Sequence, residues 1–326
     1  MRAVRLELAL DSGAWILPPS GDIVVMRPRM GDDLSALPMS RVVVRTGFRP
    51  DHDHFAAEGY RTDSKGISAA LVCLPRSRAE AWAMLAEAVA LVGPGGSLAI
   101  DGQKTDGFDS ALKDLRGAGF ALGEVVSKAH GKFVSFTAAP VPVGWAAADR
   151  LVDGFITRPG VFSADDPDKG SQLLVAALPK ELPARVADLG AGWGYLSRAI
   201  LQRSGVKRLD VVEAEKVALD CARLNVTNPH AVFHWADATT FKPERPWNAV
   251  VMNPPFHTGR APDVALGLAF IAAAHRNLAP DGVLWMVANR HLPYEPTLKT
   301  LFRQVEEVGG DGAFRVSRAA YPVRTR

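Results

Sequence analysis

Asn253, Pro254, Pro255 and Phe256, followed by His257, are the residues of this 326-residue chain best suited to chemistry. They come directly after the run Asn248 to Met252, short, apolar and β-branched, which reads as a buried parallel strand. Each proline fixes its own φ, removes a backbone donor and pushes the residue before it into an extended conformation. The resulting turn is stiff, and it leaves the Asn253 side-chain oxygen and the Pro254 carbonyl free to accept hydrogen bonds. Phe256 supplies a flat apolar face beside them. Such a corner suits a planar group bearing an NH2, with two acceptors for its two hydrogens and a ring to stack on. Taken alone, the same residues also fit a rigid strand-exit turn with no chemistry.

A second motif lies upstream. Val186 to Gly194 is an apolar strand running into a glycine-rich turn, and Tyr195 to Gln202 then has helical spacing. Gly190, Gly192 and Gly194 let the backbone pass close to a ligand and open a helix N-terminus toward it. The dinucleotide fingerprint has its third glycine one residue later and needs no acid where Asp188 stands. A carboxylate at Asp188 is a poor neighbour for a pyrophosphate and a good one for an ammonium group. The pattern favours S-adenosylmethionine, which has a sulfonium and an amino-acid head and no phosphate. Glu213 ends the next apolar strand, Leu209 to Val212, where an acid can accept the ribose hydroxyls. A solvated acid at a helix start is its other reading. Asp237 follows the run Ala231 to Trp235 and could accept the adenine amino group, although aspartate is common after strands. The order of glycine turn, ribose acid, adenine acid and Asn-Pro-Pro-Phe is far more specific than any one member.

These residues need a sheet that brings strand ends together, and the second half of the chain alternates strand and helix signals as a doubly wound sheet does. Strands are expected near 185–189, 208–212, 231–235, 248–252, 282–288 and 313–319, and helices near 171–178, 194–203, 215–225, 262–278 and 295–305. Ligands in such sheets bind beyond the carboxyl ends of the strands, where Asp188, Glu213, Asp237 and Asn253 all fall. The first half is a weaker echo, with strands at 68–74, 95–100, 121–127 and 132–138 and helices over 77–92 and 108–118. Leu74 to Ser77 stands where Asn-Pro-Pro-Phe would be, and no glycine turn precedes it. The fold class is therefore α/β: two tandem Rossmann-like domains, the N-terminal one (1–143) degenerate and serving support or substrate contact, the C-terminal one (144–326) catalytic.

Composition sets bounds. A hydrophobic content of 48% suffices for two domains of ordinary size. Charges interrupt every helix-length apolar run, so no membrane span is expected, and Met1 to Leu10 lacks the apolar core of a signal peptide. Cys73 and Cys221 read as buried thiols in a reducing cytoplasm, not as a disulfide or metal pair. Residues 1–150 carry 17 Lys and Arg against 17 Asp and Glu, and the remainder carries 21 against 18. Attraction to a polyanion must then come from local patches such as Arg315, Arg318, Arg324 and Arg326, which an ordinary solvated tail would also explain. Asp51, His52, Asp53 and His54 have metal-like composition, but their polar setting favours a solvated loop, and no metal is expected.

With these motifs in place, the chain resembles the ribosomal RNA small subunit methyltransferase C family over nearly its whole length. The likeness is densest from Pro159 to Tyr294: Pro159 to Ser163, Asp168 to Leu174, Asp188 to Gly192, Asn253 to Gly259 and Val287 to Tyr294. Thr258 departs from it, since an acidic residue is frequent there. The resemblance implies a class I S-adenosylmethionine-dependent enzyme that methylates a guanine exocyclic amine in 16S rRNA, with ribosomal RNA or the small subunit as partner and a single cytoplasmic chain as the working unit. Asn-Pro-Pro-Phe occurs in several amine methyltransferase families, so it points to chemistry better than to substrate. A large-subunit guanine, an adenine N6 amine or a protein glutamine amide would meet the same corner, and a non-catalytic rRNA-binding assembly factor could keep the fold without turnover. Phe256 and His257 are expected to contact the substrate, His257 as a hydrogen-bond donor more than as a base. Phe162 could add an apolar wall to the target pocket, although a core position is the plainer expectation for it. Asn289 and Tyr294 are placed either to shape that pocket or to hold a loop.

Overall fold

The computed structural model describes residues 2–255 and 264–324, and they divide into two compact units, Met1–Ala148 and Asp149–Arg326. The division falls after the expected Val143 because Trp145 belongs to the first unit's core. It stacks on Trp82, with ring centroids 5.8 Å apart, and on Phe120.

Unit 1 runs α1 (Arg2–Asp11), β1 (Asp22–Met26), β2 (Val42–Arg45), α2 (Arg49–Ala57), β3 (Ile67–Cys73), α3 (Arg78–Val92), β4 (Ser97–Gln103), α4 (Phe108–Gly117), β5 (Val126–Lys128) and β6 (Gly131–Thr137). Its sheet has the order β2-β1-β3-β4-β6-β5, with β6 antiparallel to both β4 and β5. Near the carboxyl end of β4, the buried Asp101 is bound bidentately by Arg5 at 2.6 and 2.8 Å and is also held by Arg2. Arg27, Pro28 and Arg29 follow β1 in place of a glycine turn. Residues 51–54 lie in helix α2, not in a loop: the Asp51 carboxylate accepts from the Met30 amide, and Asp53 pairs with Arg49.

Unit 2 begins with the hairpin β7 (Arg150–Val152) and β8 (Phe155–Thr157). It continues α5 (Lys169–Ala177), β9 (Arg185–Leu189), α6 (Tyr195–Leu201), β10 (Arg208–Glu213), α7 (Lys216–Asn225), β11 (Ala231–Trp235), β12 (Trp247–Met252), α8 (Val264–Asn277), β13 (Leu278–Asn289), α9 (Glu295–Leu301), β14 (Phe302–Gly310) and β15 (Phe314–Pro322). The seven-stranded sheet has the order β11-β10-β9-β12-β13-β15-β14. β9 lies between two parallel neighbours, so both its faces must be apolar, and Val186, Ala187 and Leu189 are completely buried. Strand order reverses between β9 and β12, which makes their carboxyl ends a crevice. The pairing Leu189↔Met252 sets the level: one residue further, Gly190 and Asn253 leave the sheet side by side.

One expected element changes type. The helix expected over 295–305 stops at Leu301, and Phe302–Gly310 is strand β14, paired antiparallel with β15. Leu298, Leu301, Phe302 and Val305 carry helical spacing, but pairing with β15 extends the chain from Phe302 onward. None of the helices among the described residues is long and apolar enough to cross a membrane. Cys73 and Cys221 are buried free thiols, and burial pushes them up to about 12 and about 11.

Candidate active site

The turn after β9 is built on glycine. Gly190 and Gly194 have φ of +73° and +92°, a region other residues reach only with strain. A Cβ on Gly194 would also stand 3.2 Å from the Ala222 backbone of α7. At Gly192 a Cβ would meet nothing within 4 Å, so the turn keeps an open face. A Cβ on Gly190 would lie 4.0 Å from Pro255 Cδ, which places the Asn-Pro-Pro corner against the glycine turn. Between them is a solvent-open cleft, lined among others by Phe162, Asp168, Ser171, Gly190, Gly192 and Asn253.

The acids stand at three strand ends. Asp188 is 0% exposed, and its Oδ2 accepts from the Ser197 hydroxyl at 2.6 Å. Its Oδ1 is buried with no hydrogen-bond partner among the described residues. Burial pushes this carboxyl up to about 7; the Ser197 hydroxyl opposes the shift and the nearby Glu213 charge adds to it. Glu213 accepts from the Gly192 amide and from the Glu215 amide, each at 2.7 Å, and burial outweighs these bonds and holds it above the usual range. One Asp237 oxygen caps its own turn, accepting from the Thr239 amide at 2.8 Å and hydroxyl at 2.7 Å.

Asn253 Nδ2 donates to Asp168 Oδ2 at 2.7 Å and to Ser171 Oγ at 2.8 Å. Its Oδ1 is buried with no partner among the described residues. Buried acceptors are almost always satisfied, so the orphaned Asn253 oxygen on this cleft marks a place where a ligand's donor belongs, and a second orphaned oxygen stands on the adjacent strand β9. The residues present fit an S-adenosylmethionine: an open glycine turn without phosphate ligands, a buried carboxylate for a cation and a second acid for hydroxyls.

Phe162 does not take the core position expected of it. It is 62% exposed on the cleft wall, and its carbonyl accepts from Trp193 Nε1 at 2.8 Å. Phe256 and His257 lie outside the described residues. Tyr294 is buried against Gly267 of α8 and serves the core. Two of the four arginines of the expected basic patch are ion-paired. Arg315 pairs with Glu295 and Glu307, Arg318 with Glu306, and Arg324 donates to the His275 carbonyl; Arg326 lies outside the described residues. Sequence reasoning assigned no role to Asp168, Ser171 or Ser197. An aspartate just before an apolar helix signals an N-cap, but nothing local signals its contact 85 residues away.

The methyltransferase small domain model matches residues 153–318. The chain is 30% identical over 283 residues to a ribosomal RNA small subunit methyltransferase C of Shewanella amazonensis, covering 83% of this chain and 81% of that protein. It belongs to the ribosomal RNA small subunit methyltransferase C family. A member from Aeromonas hydrophila is 30% identical over 262 residues, covering 77% and 76%. The 16S rRNA N2 methyltransferase of T. thermophilus, solved in complex with AdoMet and guanosine, superposes with a TM-score of 0.78 at 25% identity, covering 98% of this chain and 91% of that one. This family is one of class I methyltransferases, and the likeness extends over both units of the chain.

Proposed function

We propose that this protein transfers the methyl group of S-adenosylmethionine to the exocyclic N2 amine of a guanine in 16S ribosomal RNA, working as a single cytoplasmic chain. The observation that carries the reading is the Asn253 Oδ1 atom, buried and without a donor among the described residues, beside the glycine turn.

The donor supplies an electrophilic methyl on a sulfonium. Asp188 Oδ1 holds its ammonium group, Gly190, Gly192 and Gly194 admit its backbone-like head, Glu213 takes the ribose hydroxyls and Asp237 the adenine amine. A guanine N2 amine is a poor nucleophile because its lone pair is delocalised into the ring. Asn253 Oδ1 and the Pro254 carbonyl accept its two hydrogens, which pyramidalises the nitrogen and turns the lone pair along the line of attack. Acceleration then comes from positioning and electrostatics. No strong base is needed, because the methylated nitrogen is acidic and yields its proton to water. The base enters unstacked and is held against Phe256, with Phe162 on the wall and His257 as a hydrogen-bond donor.

The test is direct. Small subunits and free 16S rRNA from cells lacking the protein are incubated with it and labelled donor, then digested to nucleosides. Label in N2-methylguanosine is the expected result; label in N6-methyladenosine or in protein, or none, refutes the assignment.

A further inference from the structure

We propose that Asp168 and Ser171 are positioning residues for methyl transfer: by taking both hydrogens of the Asn253 carboxamide, they determine which of its ends meets the incoming amine. The inference rests on the reading of Asn253 as the amine's acceptor.

A carboxamide has two ends of the same shape and opposite hydrogen-bonding character. Flipped, Asn253 would present an NH2 to an NH2, and the grip would be lost. An ionised carboxylate accepts and cannot donate, so the 2.7 Å contact with Asp168 Oδ2 fixes the NH2 on that side. Ser171 Oγ at 2.8 Å takes the second hydrogen. The carbonyl end must then point the other way, where Oδ1 is buried with no partner among the described residues. Donation to a charged acceptor also polarises the amide and strengthens Oδ1 as an acceptor in its turn.

The segment Asp168 to Ser171 is built for this hold. Asp168 is the N-cap of α5, and the oxygen that receives Asn253 also accepts from the Ser171 amide at 2.8 Å. Leu174, completely buried, anchors the helix in the core. Lys169 Nζ meets Asp311 Oδ2 at 2.6 Å. At Gly170 a Cβ would crowd Asp168 Oδ2 at 3.1 Å and the Phe314 ring at 3.2 Å, so the glycine leaves the carboxylate where the amide needs it.

Three substitutions separate the cap from the hold. Asp168→Ser keeps a capping oxygen but is too short to reach Asn253. Asp168→Asn keeps both length and cap. Ser171→Ala removes the second acceptor. We expect Asp168→Ser to lower kcat by about 10- to 100-fold, Ser171→Ala by several-fold, and Asp168→Asn to be clearly more active than Asp168→Ser. Tm and the Kd for S-adenosylmethionine should stay near wild type in all three. Combining Asp168→Ser with Asn253→Ala should bring no further loss beyond Asn253→Ala alone. Wild-type kcat in Asp168→Ser, equal losses in the Ser and Asn variants, or a loss that tracks Tm or donor Kd, overturns the positioning role. Asn253→Ala is the reference: if it turns over normally, the acceptor reading itself fails. If it is inactive while Asp168→Ser is unimpaired, only the positioning assignment fails.

Discussion

Ser197 donates its hydroxyl to Asp188 Oδ2 at 2.6 Å and leaves Oδ1 of the same carboxylate buried with no partner among the described residues. One oxygen is fixed by the first turn of α6, so the other is oriented by the fold. Without a cation opposite it, the group is held up to about 7 by burial. Its folded-state value lies above its unfolded one, so the protein without ligand carries an extra proton between about pH 4 and pH 7. The stability linked to this proton is complete below the unfolded value and is lost as pH rises through about 7.

An ammonium group requires the ionised carboxylate, so affinity for S-adenosylmethionine should rise with pH and level off above about 7. Asp188→Asn should flatten that profile and weaken binding by about 10- to 100-fold. It should also raise the Tm of the ligand-free protein at pH 8 by several degrees, since the uncompensated charge is gone. Calorimetric titration at pH 6, 7 and 8 with a thermal melt of each variant checks both; an unchanged slope in Asp188→Asn would assign the titration elsewhere.

Phe162 is exposed, so its loss should leave Tm within about a degree of wild type, unlike the loss of a core aromatic. If it stacks on the flipped base, Phe162→Ala should raise the KM for rRNA by about tenfold or more, since a stacked base is worth roughly 1–3 kcal/mol. Trp193→Phe, which keeps a ring beside Phe155 and Tyr195 but gives up the bond to the Phe162 carbonyl, should show a smaller effect in the same direction. A large fall in Tm for Phe162→Ala would return that residue to a structural role.

Gly194 combines a φ of +92° with the Ala222 backbone 3.2 Å from where a Cβ would stand. Gly194→Ala should therefore destabilise the protein by about 1–3 kcal/mol through strain and displacement of α7. Donor affinity should fall with it, because α6 and α7 frame the turn. Denaturant unfolding gives the first quantity and calorimetry the second.

Which of these features could be read from the chain depends on how local their causes are. β9 and β12 are short apolar runs followed by Gly190 and by Asn253 and Pro254, so strand type and carboxyl end are both written in neighbouring residues. The same holds for Asp188, Glu213 and Asn253 at strand ends. β14 was misread because Leu298, Leu301, Phe302 and Val305 carry helical spacing, and only the distant partner β15 makes Phe302–Gly310 a strand. The exposure of Phe162 could not be read either, since an aromatic in a short irregular segment has no periodicity to show which way it faces. Asp168 could be recognised as a cap; its second partner, Asn253, is set by the tertiary fold.

On the proposed reading, Asn253 Oδ1 grips the amine and does not bind the donor. The most direct measurement compares Asn253→Ala with wild type in single-turnover methyl transfer to 16S rRNA and in calorimetric titration with S-adenosylmethionine. We predict a rate lowered by at least about 100-fold with a donor Kd within about threefold of wild type. A near wild-type rate, or a loss accounted for by weakened donor binding, would contradict it.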